Sequence, residues 1–379
     1  MTNTNTPPAQ GATSIQHGEL LHLVTSLPTS GARAVLPFEI DGVVHLAVPQ
    51  LAQDIPGQTP YMNGGDSDID LLLYRYQNGS YEEFQRLPVS GGEDADFFRI
   101  GARAFLATAS LRSGKGPYDL NVDSTVFEWV DGKFEPFQKF PGFGAKQWRH
   151  FRIGERDFLA LAQGVVVEGV TSKNPSLSTI FEWNGATFTP FQTVTSAWGY
   201  NWCHFTLDGH EFLCYADHIE PSVILLWDGE RFVPFQKLDG QAGRAFCFFT
   251  VDSVSYLAFA NLLGNSLLYK WNGAGFVQHQ VISGPGGREF AYLAHQGEHY
   301  VVQVNFLTGT PQAPTTALNS VIYRLIDGNL QIVESFPTLG ATGAAVFSVG
   351  TETYVAVAES LDAEVRFRTD SHIYRFGAL

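Results

Sequence analysis

The chain has 379 residues, of which 16% are charged and 13% aromatic, and its formal net charge is −15 at pH 7. This acidic balance argues against a nucleic-acid-binding protein, because phosphate contacts require clustered lysine and arginine. No apolar run reaches the roughly 18–20 residues of a membrane span, so we expect no membrane insertion. The 38 glycines, 19 prolines and many aromatic residues favour a β-rich chain with frequent turns and a substantial core.

The beginning of the chain and its cysteines bear on where the protein works. Residues 1–13 are polar and contain neither a basic nor an apolar segment, which predicts a flexible tail without a secretory signal. The three cysteines, Cys203, Cys214 and Cys247, are too few for a disulfide framework and favour a reducing compartment. We therefore expect a cytoplasmic protein, or a secreted one if a leader has been removed.

A repeated segment begins near residue 72 and recurs along the chain. Each copy has a Trp-like position, a second large residue five positions later and Gln or Glu nine positions later. The Trp-like positions are Tyr76, Trp129, Trp183, Trp227, Trp271 and Leu325. The ninth positions are Gln85, Gln138, Gln192, Gln236, Gln280 and Glu334. Alternating apolar residues flank an Asn-Gly or Asp-Gly pair, which predicts a β-hairpin with a type I′ turn.

A second hairpin pattern follows each of these six segments, and one further copy precedes the first of them. Its seven copies align on Phe38, Phe98, Phe151, Phe205, Phe249, Leu293 and Phe347. Four strands in a unit of roughly 40–50 residues are typical of a β-propeller blade. The segments from His17 and from His372 each match only one half of the first hairpin. We therefore predict an all-β, seven-bladed β-propeller over residues 14–379, with four antiparallel strands per blade and terminal strands that share one blade.

The two motifs of the repeat read W-[ND]-G-x-x-F-x-P-F-Q and F-x-[IL]-x-G-x-x-[FY]-L-A-x-A. They resemble the epilepsy-associated repeat, also called the EAR or EPTP repeat, of the leucine-rich glioma-inactivated proteins and related extracellular receptors. The resemblance extends from about residue 14 to the C-terminus and implies a seven-bladed propeller. Animal members of this family are secreted and bind protein partners, so the resemblance also implies a protein partner.

The loops inside each unit vary in length and are predicted to lie on one face, which we call the variable-loop face. Five residues before each alignment position, four of the seven residues are basic. This first ring consists of Arg33, Glu93, Lys146, Tyr200, Arg244, Arg288 and Thr342. At the exit of the next strand every residue is polar, and this second ring consists of Gln50, Ser110, Gln163, Asp217, Asn261, Asn305 and Glu359.

Both rings are predicted near the mouth of the central channel, where cations can hold a carboxylate or phosphate group. The predicted ligand-binding residues are Arg33, Lys146, Arg149, Trp202, Arg244, Arg288, Asn261 and Asn305. Trp202 is included because Trp148, Trp202, Phe246 and Phe290 share a register that can supply flat apolar walls. Two alternatives remain open: the polar ring caps loop backbone, and the aromatic residues belong to the core between blades.

Two functions from different classes fit these patterns. The first is a binding protein without a cofactor, which recognises a small anionic ligand or a protein partner at the channel mouth. The second is an enzyme of specialised metabolism, of the cyclase, isomerase or hydrolase type, that holds a small substrate in the same pocket. The candidates for proton transfer are His150, His204, Asp217 and Glu359, although both histidines also suit a packed position in the sheet.

Metal binding has only weak support in the sequence. Asp94 and Asp96 near the channel mouth are candidates for a hard cation, and a solvated acidic loop is the alternative. Cys203 and Cys214 are predicted to be neighbours on adjacent strands, but no cysteine or histidine spacing is typical of a zinc site.

Overall fold

A computed structural model describes residues 20–167 and 173–377, so the predicted tail at residues 1–13 lies outside the described part of the chain. The strands in chain order are β1 (Leu21–Leu27), β2 (Leu36–Ile40), β3 (Val43–Val48), β4 (Leu71–Gln77), β5 (Ser80–Leu87), β6 (Gly92–Ile100), β7 (Arg103–Ser110), β8 (Ser124–Val130), β9 (Lys133–Phe140), β10 (Ala145–Ile153), β11 (Arg156–Gln163), β12 (Leu177–Trp183), β13 (Phe188–Thr195), β14 (Gly199–Leu207), β15 (His210–Asp217), β16 (Val223–Trp227), β17 (Phe232–Lys237), β18 (Gly243–Val251), β19 (Val254–Asn261), β20 (Ser266–Trp271), β21 (Phe276–Ser283), β22 (Gly287–His295), β23 (Glu298–Asn305), β24 (Thr308–Thr310), β25 (Ala313–Thr315), β26 (Ala317–Ile326), β27 (Asn329–Leu339), β28 (Ala341–Val349), β29 (Glu352–Glu359) and β30 (Ser371–Phe376).

These strands form seven antiparallel four-stranded sheets, which are the blades of the predicted propeller. Blades 1 to 5 are β2–β5, β6–β9, β10–β13, β14–β17 and β18–β21, blade 6 is β22, β23, β26 and β27, and blade 7 is β28, β29, β30 and β1. The first strands of successive blades contact one another, and the contact of β2 with β28 completes the ring. The described part of the chain contains no helical segment with the length and hydropathy of a membrane span.

The ring is closed by the pairing of the first strand with the last. Leu21 of β1 lies opposite Phe376 of β30, and Leu27 lies opposite Ser371. The predicted shared blade is therefore confirmed. Closure removes the open sheet edges that would otherwise be exposed at the two ends of the repeat.

The hairpin turns confirm the type I′ prediction in only part of the repeat. Asn78 and Gly79 both have positive φ, at 52° and 84°, as this turn requires. Where the pair directly follows the tryptophan, as at Asn184-Gly185, only the glycine has a positive φ. There the Asn184 side-chain oxygen accepts the N–H groups of Ala186 and Thr187, which makes a longer Asx-type turn. The type I′ prediction was wrong for these loops.

Glutamine side chains join blades 1 to 6 in succession through hydrogen bonds to the backbone of the next blade. The Gln192 amide donates to the Phe232 carbonyl at 2.7 Å and accepts the Phe232 N–H at 3.0 Å. The same pair of hydrogen bonds joins Gln85 to Phe134, Gln138 to Phe188, Gln236 to Phe276 and Gln280 to Leu330. At the junction with blade 7, Glu334 accepts the N–H of Leu20 at 2.8 Å. The ninth position of the repeat is thus an interblade clamp, because an amide supplies both a donor and an acceptor.

We expect the Gln192→Ala substitution to lower the free energy of unfolding by about 1–3 kcal/mol, because it leaves a backbone N–H and carbonyl without partners. Urea denaturation measures this loss. Gln278→Ala, which removes an exposed amide from β21, serves as the matched control and should change stability little. Equal stabilities of the two variants would show that the clamp contributes nothing.

Candidate functional site

The candidate site originates in a β-bulge at the entrance of six inner strands. Each register shift is centred on one extra residue, as at Lys146 between Ala145 and Gln147 in β10. The bulged residues are Glu93, Lys146, Tyr200, Arg244, Arg288 and Thr342. A bulge redirects a side chain that regular pleating would place elsewhere. The first predicted ring is therefore a ring of bulged residues, completed by Arg33 in blade 1.

A cavity of about 190 Å³ lies where these side chains meet, at the end of the channel on the variable-loop face. Six members of the first ring line it, namely Arg33, Glu93, Lys146, Tyr200, Arg288 and Thr342. Asp94, Gln147, Arg149, Asn201 and Glu289 line its inner part together with small residues. The cavity thus combines several cations with carboxyl groups in a small volume.

Glu93 is the carboxylate at the centre of the outer cations. Its carboxylate lies 3.0 Å from the Lys146 ammonium and 3.7 Å from the Arg33 guanidinium. Burial alone would raise the pKa of Glu93, but Arg33, Lys146 and Arg288 outweigh it and hold the pKa below the ordinary value. Glu93 is therefore ionised and compensates part of the positive charge.

Tyr200 is surrounded by three cations. The Arg244 guanidinium lies 4.0 Å from the ring centroid, the Lys146 ammonium 5.1 Å and the Arg288 guanidinium 5.2 Å. Burial would raise the pKa of Tyr200, but these cations together lower it. Aromatic faces attract cations, so Tyr200 holds three like charges close together.

Arg244 and Arg288 have no carboxylate within 4.0 Å among residues 20–167 and 173–377. Arg244 instead donates a hydrogen bond to Nδ1 of His218 at 2.8 Å. Burial, followed by Arg244 and Lys146, lowers the pKa of His218 to about 3, so this histidine is neutral and accepts the bond. Burial and the charge of Arg288 lower the pKa of Arg244 to about 10. Positive charge therefore remains uncompensated beside the cavity.

The inner part of the cavity is acidic. Burial raises the pKa of Asp94 well above the ordinary value, and Asp96 and Glu289 reinforce the shift against the opposing effect of Arg149. Burial likewise raises the pKa of Glu289. Arg149 lies 3.6 Å from Asp96, whose other oxygen accepts the His150 backbone N–H. The buried Oδ2 of Asp94 has no hydrogen-bond partner in the described part of the chain.

The second predicted ring does not reach the cavity. Asp217 accepts backbone N–H groups of Ala197, Trp198, Ile219 and Glu220. Asn261 donates to the Gln241 carbonyl and Asn305 to the Asn319 carbonyl, and Glu359 accepts the Leu339 N–H. The structure therefore places Asn261 and Asn305 in loop contacts, as the backbone-capping alternative describes, rather than beside the other predicted ligand-binding residues.

Trp202 also lies outside the cavity. Its side chain is fully buried and packs on Tyr215, with ring centroids 4.2 Å apart. Trp148, Phe246 and Phe290 are buried in equivalent clusters between blades. This register faces the neighbouring sheet, so these aromatic residues are core residues and do not form the flat cavity walls of the prediction.

The two histidines proposed for proton transfer are part of an interblade stacking series. His150 stacks on Phe98 at 4.3 Å, and His204 stacks on Phe151 at 4.6 Å. Phe97, Phe248 and Tyr292 make the same contact at other interfaces. Burial lowers the pKa of both histidines, although Asp157 lies 3.1 Å from His150 and Glu211 lies 3.0 Å from His204. Neither ring lines the cavity.

Of the two metal candidates, Asp94 and Asp96, Asp96 has other partners in the fold. Asp96 is engaged by Arg149 and by the His150 backbone. Cys203 lies opposite Cys214 across β14 and β15, as predicted, and all three thiols are free. Over the described ranges, no three or more side chains of His, Cys, Asp or Glu are grouped so that they could hold a metal ion.

Glu289 is a site residue that the sequence did not indicate, and Tyr200, a member of the first ring, was not among the predicted ligand-binding residues. Both follow the entrance of an inner strand, where a small residue precedes the bulge: Gly199 before Tyr200 and Gly287 before Arg288. A Cβ atom at Gly287 would overlap the Ser266 hydroxyl, so the small residue is required for packing. The recurring small residue is the signal that could have located the bulge.

Substitutions at the adjacent residues Glu93 and Asp94 should change stability in opposite directions. Glu93→Gln leaves two buried cations without their carboxylate, and we expect a loss of about 3–5 kcal/mol at neutral pH. Because the folded pKa of Glu93 is lowered, this contribution is present above pH 4.5 and disappears as the pH falls through the folded pKa. Denaturation of wild type and variant across this pH range measures it.

Asp94→Asn should instead raise the free energy of unfolding at neutral pH. The folded pKa of Asp94 is raised, so its carboxyl group costs stability increasingly as the pH rises above 3.8. The gain should vanish at low pH, where the carboxyl group is neutral in both states. A destabilised Asp94→Asn variant at pH 7 would contradict this account of the inner layer.

Comparisons with known proteins agree with this architecture. The family described as "EPTP domain" matches residues 133–184, 187–228 and 231–272. The Homo sapiens "Thrombospondin-type laminin G domain and EAR repeat-containing protein" is 30% identical over 164 residues, which make up 42% of this chain and 23% of that protein. The Mus musculus protein of the same name is 28% identical over 163 residues, or 42% of this chain and 22% of that protein.

The chain thus spans less than a quarter of the length of these curated relatives. Each matched segment starts at or beside the outer strand of one blade and continues through three strands of the next, so it includes the clamp glutamine. The three EPTP matches show that the chain carries EAR/EPTP repeats over residues 133–272, and its ring of seven blades is the architecture that the resemblance to this family implies.

Proposed function

We propose that the protein is a non-catalytic binding module whose central cavity holds the carboxylate or phosphate group of a small ligand. The supporting observation is the positive charge of Arg244 and Arg288, which no carboxylate of the described chain compensates within 4.0 Å. Guanidinium groups form strong, paired hydrogen bonds with planar or tetrahedral anions. An anion at the mouth would replace the missing counter-charge in a partly desolvated site.

The size of the cavity favours a compact ligand. Its volume of about 190 Å³ is below the range of roughly 300–1,000 Å³ typical of sites for drug-sized molecules. The loops above it enclose their own apolar cluster, which includes Leu51, Leu111, Leu262 and Phe306. Arg33 packs 5.4 Å from the Phe306 ring centroid. This packing holds the mouth in shape, so the site is preorganised for its ligand.

A protein partner is a second candidate, supported by exposed apolar side chains on the variable-loop face. Tyr61, Val166, Val167 and Leu263 are 43%, 53%, 47% and 60% exposed and lie on three different loops. The loops on this face vary in length from residues 49–70 in blade 1 to residues 262–265 in blade 5. A partner that covers them could insert an acidic side chain into the same cavity.

The enzymatic alternative receives less support from the geometry. His150, His204, Asp217 and Glu359 do not line the cavity, and each has structural contacts elsewhere in the fold. A proton-transfer group must come within hydrogen-bond reach of the reacting atom. The cyclase, isomerase or hydrolase hypothesis therefore has no positioned acid or base among these four residues.

The Arg244→Ala/Arg288→Ala double variant tests the proposed anion site. We expect inorganic phosphate or malonate to raise the melting temperature of the wild type, because a ligand of the folded state stabilises it. The shift should be lost in the double variant and kept in Arg231→Ala, whose side chain is exposed beyond β16. Absence of a shift in the wild type, or an equal shift in the double variant, would contradict the proposal.

A further inference from the structure

The cavity has two layers of different chemistry, cations at the mouth and carboxyl groups inside. The outer layer contains Arg33, Lys146 and Arg288 with a single carboxylate, Glu93. Arg244 lies beside this layer, against the ring of Tyr200. The next residue of each inner strand forms the inner layer, which contains Asp94, Gln147, Asn201 and Glu289. Arg149 supplies one positive charge close to Asp94, Asp96 and Glu289. The inner layer therefore has an excess of acidic groups.

Most inner-layer side chains hold the adjacent blade in place. Gln147 accepts the Trp202 N–H at 2.6 Å, and Asn201 accepts the Phe246 N–H at 3.0 Å. Glu289 accepts the backbone N–H of Ala344 in the same way. Asp94 makes no such contact, because its buried Oδ2 lacks a partner anywhere in residues 20–167 and 173–377. A buried acceptor without a donor is costly unless something else supplies the donor.

We propose that the ligand is dipolar: the outer arginines hold its anionic group, and an amine on the same molecule donates to Asp94 and Glu289 in the inner layer. This inference rests on the proposed anion-binding function and specifies the class of ligand, a compact amino acid, amino sulfonate or amino phosphate. Its two charges match the order of the layers, with the anion at the mouth and the ammonium inside. The cavity volume of about 190 Å³ accommodates only a short spacer between them.

Protonation of the inner layer couples to binding of such an amine. The charged groups that act on Asp94 are Arg149, Asp96 and Glu289, and burial keeps its carboxyl group neutral above the ordinary pKa. An ammonium group nearby favours the ionised carboxylate, so binding releases a proton. The affinity for a dipolar ligand therefore rises with pH through the folded pKa of Asp94, whereas the affinity for a simple anion does not follow this titration.

Calorimetry with matched probes tests the inference on the full chain. The pairs are β-alanine with propionate, and phosphoethanolamine with ethyl phosphate, which differ only in the amine. We expect the amine-bearing member of a pair to bind about tenfold more tightly or better, since a hydrogen bond to a charged group has this effect. Titrations in buffers of different ionisation enthalpy should show proton release for that member alone.

Two variants distinguish a specific contribution of Asp94 to amine binding from a general effect of removing a carboxylate. Asp94→Asn should remove the preference for the amine and leave the affinity for propionate or ethyl phosphate unchanged. Asp131→Asn, in an exposed turn far along the blade from the mouth, is the matched control and should keep the preference. Thermal unfolding confirms that both variants are folded.

The outcomes distinguish this inference from the proposed function. Equal affinities within each pair, with no effect of Asp94→Asn, would overturn the dipolar ligand and leave the anion site standing. No binding of any of the four probes at millimolar concentration would overturn both. If Arg288→Ala no longer binds propionate or ethyl phosphate, and Asp94→Asn no longer prefers the amine-bearing probes, the proposed roles of both layers would be supported.

Discussion

The ring depends on one interblade interaction, the pair of hydrogen bonds between a glutamine amide and a backbone peptide group of the next blade. Sheets that pack face to face through apolar side chains can slide, since dispersion and hydrophobic contacts have little direction. The amide of Gln138 removes this freedom because it must meet both the N–H and the carbonyl of Phe188. This clamp recurs at five successive interfaces and holds each outer strand in one fixed position against the next.

Because the inner strands share a common register, residues that are distant in sequence come together in one site. Lys146, Tyr200 and Arg288 are far apart in sequence and lie on different blades, yet each occupies the bulge of its inner strand. Because the bulges face one axis, their charges meet without any covalent or sheet connection between them. The remaining strain of like charges is moderated by Glu93 and by the π face of Tyr200. The ring thus confines cations that would repel one another in a flexible chain.

The sequence was sufficient for the fold because the fold is repeated. Trp129 and its counterparts, the turn glycines and the clamp glutamines recur at fixed offsets, and the half-repeats at the two ends predicted the shared blade. The first ring was also predictable, since alignment of the inner strands brings its residues to one level. Features that depend on a local departure from the repeat could not be predicted in this way. Asn184 directly follows Trp183, one residue earlier than Asn78 follows Tyr76, and this changes the turn type. The bulge at Lys146 brings both Lys146 and the next residue, Gln147, to the cavity.

Side-chain partners were the least predictable part of the site. Asn261 and His150 have the chemistry of ligand-binding or catalytic groups. Only the three-dimensional arrangement shows that Asn261 hydrogen-bonds to loop backbone and that His150 stacks on a phenylalanine ring. Their register carries polar and aromatic residues in other blades as well, so the sequence pattern alone does not separate packing from function. Burial and hydrogen bonding decide between these roles.

Pairing between β1 and β30 also determines the order in which the ring can be built. Among the strands of the propeller, β1 is synthesised first and its sheet neighbour β30 last, and more than three hundred residues of chain separate the two. Six blades can form from contiguous segments while β1 still presents an unpaired edge. Ring closure is therefore the final event of assembly, and a prematurely terminated chain would retain a sheet edge open to association with other chains.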